Sequence, residues 1–314
     1  MMKFLIILLD ANSPSYCAYE NTKVQDGLMP IDVLRKGLHY ALIENLYVQV
    51  VYPDYVLSTG YVDVLDTIDK VGIASVVGPN QEYADVLVIN DWDRIESSEV
   101  LADTTYILRT SKKLLFKKYP ILLDFCYRVK RLNLVLTDVE SFTDDDFAMY
   151  KDVLNALSDI IISRFKKDGV LPNINVLFDR ITLNQMNNCN AGLESITLAP
   201  DGNFYVCPAF YYEGKPVGNI DTGLCIKNPQ LYKIENAPIC SLCDAYQCKR
   251  CIWLNKRTTF EVNTPSHEQC VISHIERNAS RGLLMRLKKC GFQCKSKIKK
   301  INYLDPFEKF FIIK

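Results

Sequence analysis

The chain has little of what marks the familiar catalytic and binding classes. It carries three histidines in 314 residues. It has no G-x-S-x-G nucleophile elbow, no dinucleotide-binding glycine pattern and no phosphate-binding loop, so the hydrolase, nicotinamide and nucleotide classes lack their signatures. No apolar run approaches the roughly 18 residues needed to cross a bilayer. The first run, residues 4–9, is closed by Asp10 after six residues. A secretory signal needs roughly 7–15 apolar residues, so this run reads as a buried strand. Net charge is also missing, with 37 Lys+Arg against 37 Asp+Glu. With no recognition motif beside it, that balance makes nucleic acid an unexpected partner. A membrane is equally unexpected.

Cysteine, by contrast, is abundant, with 12 residues. A chain of this length is expected to form two domains, each able to bury a core without covalent staples. Absence of a secretory signal leads to the expectation of a cytoplasmic, reducing setting, where clustered thiols serve metals more often than disulfides. The neutral total also hides an asymmetry. Residues 1–100 hold 15 acids and 6 bases, whereas residues 277–300 hold nine Lys/Arg and no acid. That basic stretch reads as the solvated face of a helix, or as a docking surface for an acidic partner.

Strand-like runs at 4–9, 46–52, 71–77, 85–89, 105–108, 132–137 and 175–178 alternate with helical patterns. A helix is expected over 31–44, behind Pro30, with Val33, Leu34, Leu38, Ala41 and Leu42 on its apolar stripe. A longer one is expected over 142–166, with Asp144, Asp145 and Asp146 in its first turn and basic residues in its last, matching the helix dipole. Such alternation predicts an α/β fold with parallel pairing, a partial (β/α) barrel-like domain over 1–182. After it comes a small cysteine-rich domain over 183–275, then a basic C-terminal helix and tail over 276–314. Asp201-Gly202 predicts a tight hairpin between 195–198 and 204–206.

Eight of the twelve cysteines lie between Cys189 and Cys270. Their centre is Cys240-Ser-Leu-Cys243, then Cys248-Lys-Arg-Cys251. Disulfides, zinc and iron–sulfur ligation are the alternatives. Paired zinc knuckles are usually separated by roughly 12–20 residues, so that four ligands close a tetrahedron from two sides. Four residues separate Cys243 from Cys248 here, a crowding commoner where neighbouring cysteines serve different iron–sulfur clusters. His267 and His274 flank Cys270 and keep a mixed Cys/His zinc site open. Cys17 and Cys126 read as buried small side chains, and His39 as a surface residue. The aspartates of Asp91-Trp92-Asp93 read as a turn. Phe210-Tyr211-Tyr212 reads as an aromatic shield for a cluster rather than a substrate surface.

The wider order is Cys189, twelve residues, Gly202, four residues, Cys207, then the Cys240/243/248/251 group and Cys270. It resembles the SPASM domain, the auxiliary-cluster module of radical SAM enzymes that mature peptides. Val217-Gly218-Asn219-Ile220 is similar to the same module, although the last two gaps of the central group are each one residue shorter than usual. That resemblance implies two [4Fe–4S] clusters. Cys240, Cys243, Cys248 and Cys270 would hold one; Cys189, Cys207 and Cys251 would hold part of the other, with Cys225 a candidate fourth ligand. Taken whole, and with the stretch 10–19 and Val51-Tyr52-Pro53-Asp54-Tyr55, the chain resembles the CXXX repeat peptide maturases. Membership implies a part in maturing a small cysteine-repeat peptide beside a partner maturation protein. The C-x3-C-x2-C loop that radical SAM chemistry requires is missing: residues 10–23 contain Cys17 alone. Independent radical SAM activity is therefore not expected. The alternative is a zinc-stabilised peptide-binding scaffold with no catalysis of its own.

Overall fold

The computed structural model describes residues 2–22, 27–97, 101, 103–182, 189–245, 248 and 250–293. Cys294 and the aromatic-rich tail lie outside them. The chain divides into two compact units, each made of two segments. One comprises Met1–Arg109 with Asn190–Lys233, the other Thr110–Cys189 with Ile234–Lys314.

The first unit is built on a mostly parallel sheet. Its strands are β1 (Phe4–Leu8), β2 (Tyr47–Val51), β3 (Lys70–Ser75), β4 (Val86–Ile89), β5 (Thr105–Thr110), β7 (Ser195–Leu198) and β8 (Phe204–Tyr205), in the order β5-β4-β3-β2-β1-β7-β8. Pairing is parallel throughout, except that β8 returns antiparallel on β7. Strand β1 lies between β2 and β7, with Phe4 facing Tyr47 on one side and Ser195 on the other. Leu5, Ile7 and Leu8 are fully buried, as expected of a central parallel strand covered on both faces. Helix α1 (Ile31–Ile43) buries Leu34, Leu38 and Ala41. Leu42, expected on the same stripe, is instead 64% exposed, because it falls at the edge of the arc that the other three define. The expected hairpin is present, with Gly202 at φ 76° in the turn.

A guanidinium holds the loop that follows β1. Arg109, at the end of β5, is buried. Its Nε donates to the Cys17 carbonyl (2.7 Å), and its Nη2 to the Tyr19 carbonyl (2.7 Å) and Glu20 Oε1 (2.8 Å). Its Nη1 donates to Asn90 Oδ1 (2.8 Å). The segment carrying Cys17 is thus tied down through its backbone carbonyls.

In the second unit, strand β6 (Arg131–Leu136) is accompanied by α4 (Lys112–Arg128), α5 (Asp144–Asp168) and α6 (Asn175–Thr182). α5 starts at a capping box formed by Thr143 and Asp146, and Gly169 ends it in the left-handed region at φ 69°. The run 175–178, read as a strand, is the first turn of α6. A short apolar run fits either structure. Asn175 decides it by packing beside β6: its Oδ1 accepts from the Leu134 N–H (2.8 Å) and its Nδ2 donates to the Leu134 carbonyl (3.1 Å). Helix α9 (His267–Lys289) begins at a Ser266 cap, nine residues before the expected start. It packs on α5, and the Tyr150 hydroxyl donates to Glu276 Oε1 (2.7 Å). Among the described residues, no helix is long and apolar enough to cross a membrane.

Two outcomes follow. A Cβ on Gly72 would clash with the Tyr83 carbonyl oxygen and lie 2.9 Å from the Ala84 Cα, both backbone atoms. Gly72→Ala is expected to lower stability by about 1–3 kcal/mol or more, read as a lower denaturant midpoint with an unchanged slope. Burial pushes the Cys126 thiol on α4 up to about 12, whereas in an unfolded chain it ionises near the ordinary thiol value. The folded state therefore holds the proton that the unfolded state loses. Its contribution to stability is full below about pH 9 and falls as pH rises towards 12. Alkylation of Cys126 at pH 8 should require unfolding, as peptide mapping would show.

Candidate metal centre

The site is assembled from a cysteine loop and one face of a helix, all in the second unit. A short 3₁₀ turn (Cys240–Leu242) brings Cys240 and Cys243 to the same side, with the Cys243 N–H donating to the Cys240 carbonyl (3.2 Å). The chain turns again at Ala245, whose carbonyl accepts from the Cys248 N–H (2.9 Å). Cys251 caps α8 (Ile252–Thr259). On α9, Cys270, Ser273, His274, Arg277 and Arg281 recur at spacings of three and four, and so share one helix face.

Cys240, Cys243, Cys248 and Cys270 all line one cavity, together with Arg250, Ser273 and His274. Ile234, Ile239, Ala245 and Pro265 supply its apolar wall. The enclosed volume is about 20 Å³, close to that of one water. His274 Nε2 stands 3.4 Å from Cys243 Sγ, and the Ala245 N–H donates to the same sulfur at 3.4 Å. Burial, reinforced by the neighbouring Cys248, pushes the Cys240 thiol up to about 12, against the opposing pull of Arg250. Burial also raises Cys248, partly offset by a hydrogen bond with Ser273. Without a metal these thiols stay protonated. A bound metal displaces the protons, so binding is pH-dependent.

The donor set fits a thiolate-ligated centre: four sulfurs face one apolar space and a backbone N–H already points at one of them. Among the described residues, no group of three or more His, Cys, Asp or Glu side chains is already placed to hold a metal ion.

Beside this cavity lies a buried charge knot. Asp244, next to Cys243, is 1% exposed. Its Oδ1 accepts from Arg277 Nη1 (2.8 Å), Arg281 donates to its Oδ2, and Arg180 Nη2 stands 3.6 Å from that oxygen. The side chain of Arg180 also donates to the Asp244 carbonyl (3.3 Å). One carboxylate thus fixes the cysteine loop to α6 and α9 together.

The second implied set is distributed differently. Cys207, the N-cap of α7 (Pro208–Tyr212), and Cys225, which is exposed, belong to the first unit. Cys189, also exposed, and Cys251 belong to the second. Phe210, Tyr211 and Tyr212 pack within the first unit: Tyr212 stacks on Tyr19 at 5.6 Å and donates to the Ala11 carbonyl (3.0 Å), while Tyr211 meets Tyr205 edge-on. His267 sits edge-on to Phe147 at 6.4 Å, and His39 is exposed. Asp91 accepts from the Asp93 N–H (3.1 Å) in a local turn. Sequence reasoning missed Arg250, Ser273 and the Asp244 knot. The helical spacing from Cys270 to Arg281 was the available signal, hidden while the helix was taken to begin at 276.

No family model and no curated protein matches the chain. Among solved structures it is similar to Streptococcus suis SuiB bound to the precursor peptide SuiA. Identity is 11% and the TM-score 0.40, over 74% of this chain and 64% of that one. It is also similar to BtrN in complex with AdoMet and 2-DOIA, at 9% identity and a TM-score of 0.26, over 70% of this chain and 79% of the other.

Asp244→Asn removes the buried charge that Arg277 and Arg281 bond and should cost about 3–5 kcal/mol. Urea denaturation of the metal-free chain checks this; an unchanged midpoint would show that the knot is not a fastening.

Proposed function

We propose that the chain is an iron–sulfur protein of a peptide-maturation system, holding a [4Fe–4S] centre on Cys240, Cys243, Cys248 and Cys270. The observation that carries this reading is the shared cavity: the four cysteines that the SPASM resemblance groups together line one space in the structure. Sulfurs that bind a single tetrahedral ion lie about 4 Å apart, given metal–sulfur bonds of about 2.3 Å. A cluster joins its cysteine ligands across several irons, and four cysteines around one cavity agree with such a ligand set. When bound, such a centre supplies electron transfer. Four cysteine ligands leave no iron open, so substrate thiolate binding would need a different centre. The residues do the rest: the Asp244 knot holds the loop, Ile234, Ile239 and Pro265 exclude water, and the Ala245 N–H donates to a ligand sulfur.

The substrate class, a small cysteine-repeat peptide, and the partner maturation protein rest on the resemblance to CXXX repeat peptide maturases. The tethered loop carrying Cys17 alone agrees with a chain whose radical chemistry comes from a partner. A zinc-stabilised scaffold is the second reading, favoured by the small enclosed volume of about 20 Å³.

Anaerobic purification separates the two. The expected preparation is brown, with about four irons and matching acid-labile sulfide per chain; iron beyond that would require the remaining cysteines. Replacing Cys240 and Cys243 by Ala should remove most of it, whereas Cys126→Ala should remove none. A colourless protein with stoichiometric zinc and no sulfide would sink the iron–sulfur reading.

A further inference from the structure

Arg250 has a place that thiol ligation alone does not require. It lies between Cys248 and Cys251, is 4% exposed, and lines the same cavity as the four thiols. Its φ of 47° puts a long side chain in the left-handed region, normally left to glycine, asparagine or aspartate. Arg250 thus joins the cysteines in lining this space from a backbone conformation that is itself costly.

A four-thiolate centre is anionic whichever metal it holds. Four thiolates around Zn²⁺, or around a cluster core of charge about +2, leave a net charge of about −2. In an apolar cavity such a charge is costly unless a cation faces it. Arginine stays charged across the working pH range, so it can serve in both the empty and the loaded protein.

We propose that Arg250 is the counter-charge of the centre on Cys240, Cys243, Cys248 and Cys270, stabilising its loaded form and raising the potential at which it accepts an electron. This rests on the iron–sulfur reading above. The reduced centre is one charge more negative than the oxidised one, so a fixed cation in the cavity favours it. An external donor supplies the single electron, and no bond forms or breaks.

The test uses the full chain reconstituted with iron and sulfide, as wild type, Arg250→Met and Arg250→Lys. Iron per chain is measured first, then the midpoint potential by mediated titration with dithionite. With equal iron, Arg250→Met should shift to a more negative potential while Arg250→Lys stays near wild type. An unshifted Arg250→Met protein with full iron overturns the proposal, as does an Arg250→Lys shift as large as that of Met. Loss of iron in Arg250→Met alone supports it; loss in both variants overturns it. A wild type that takes zinc and no iron defeats the iron–sulfur reading separately. The counter-charge is then read from zinc release to a chelator, expected to be faster in Arg250→Met only; equal rates overturn it.

Discussion

The carboxylate of Asp244 is the interaction on which the candidate centre depends. Arg180 comes from α6, Arg277 and Arg281 from α9, and all three meet one buried aspartate in the cysteine loop. Ordering an irregular loop costs conformational entropy that must be offset. The charge knot adds to the burial of Ala237, Cys240 and Ala245, and leaving it half-made would be costly. Its partners face the loop because α9 repeats them at helical spacing below Cys270.

That fastening explains how one thiol from a helix joins three from a loop. Cys270 is displaced from Cys248 by 22 positions in sequence, yet both line one cavity. The helix supplies rigidity, a hydrogen-bonding Ser273 and His274 beside Cys243. The loop supplies the other three thiols, a backbone N–H to a sulfur and a buried arginine. Acidic and basic groups thus stand around the cysteines, Asp244 with its arginines beside the cavity and Arg250 in its lining. Such preorganisation makes the site's charge, and not only its ligand count, part of its chemistry.

Much of the architecture was legible from residue patterns. Each strand of the sheet, the hairpin strands β7 and β8 included, falls on a run expected from the residue pattern, and the acids and basic residues of α5 match its two ends. Misreadings fell where a local pattern is ambiguous. Residues 175–178 are apolar enough for a strand, and only Asn175 bonding both backbone groups of Leu134 makes that segment a helix start. The four thiols of the cavity were legible through spacing and resemblance. Arg250 was not, because a single arginine between two cysteines carries no periodic signal.

Sequence by itself determined the α/β alternation, the hairpin at Gly202, the local density of cysteine and the lack of a three-cysteine loop near Cys17. These are consequences of spacing along the chain, where backbone geometry acts over a few residues. Tertiary structure alone decided which segments share a unit: 190–233 with the first strands, 234 onwards with α4 to α6. It alone decided that Asp244 gathers three arginines, and that Arg250 and His274 line one cavity with the cysteines. Those relations depend on burial and charge pairing between distant segments, and buried charge is satisfied only in three dimensions.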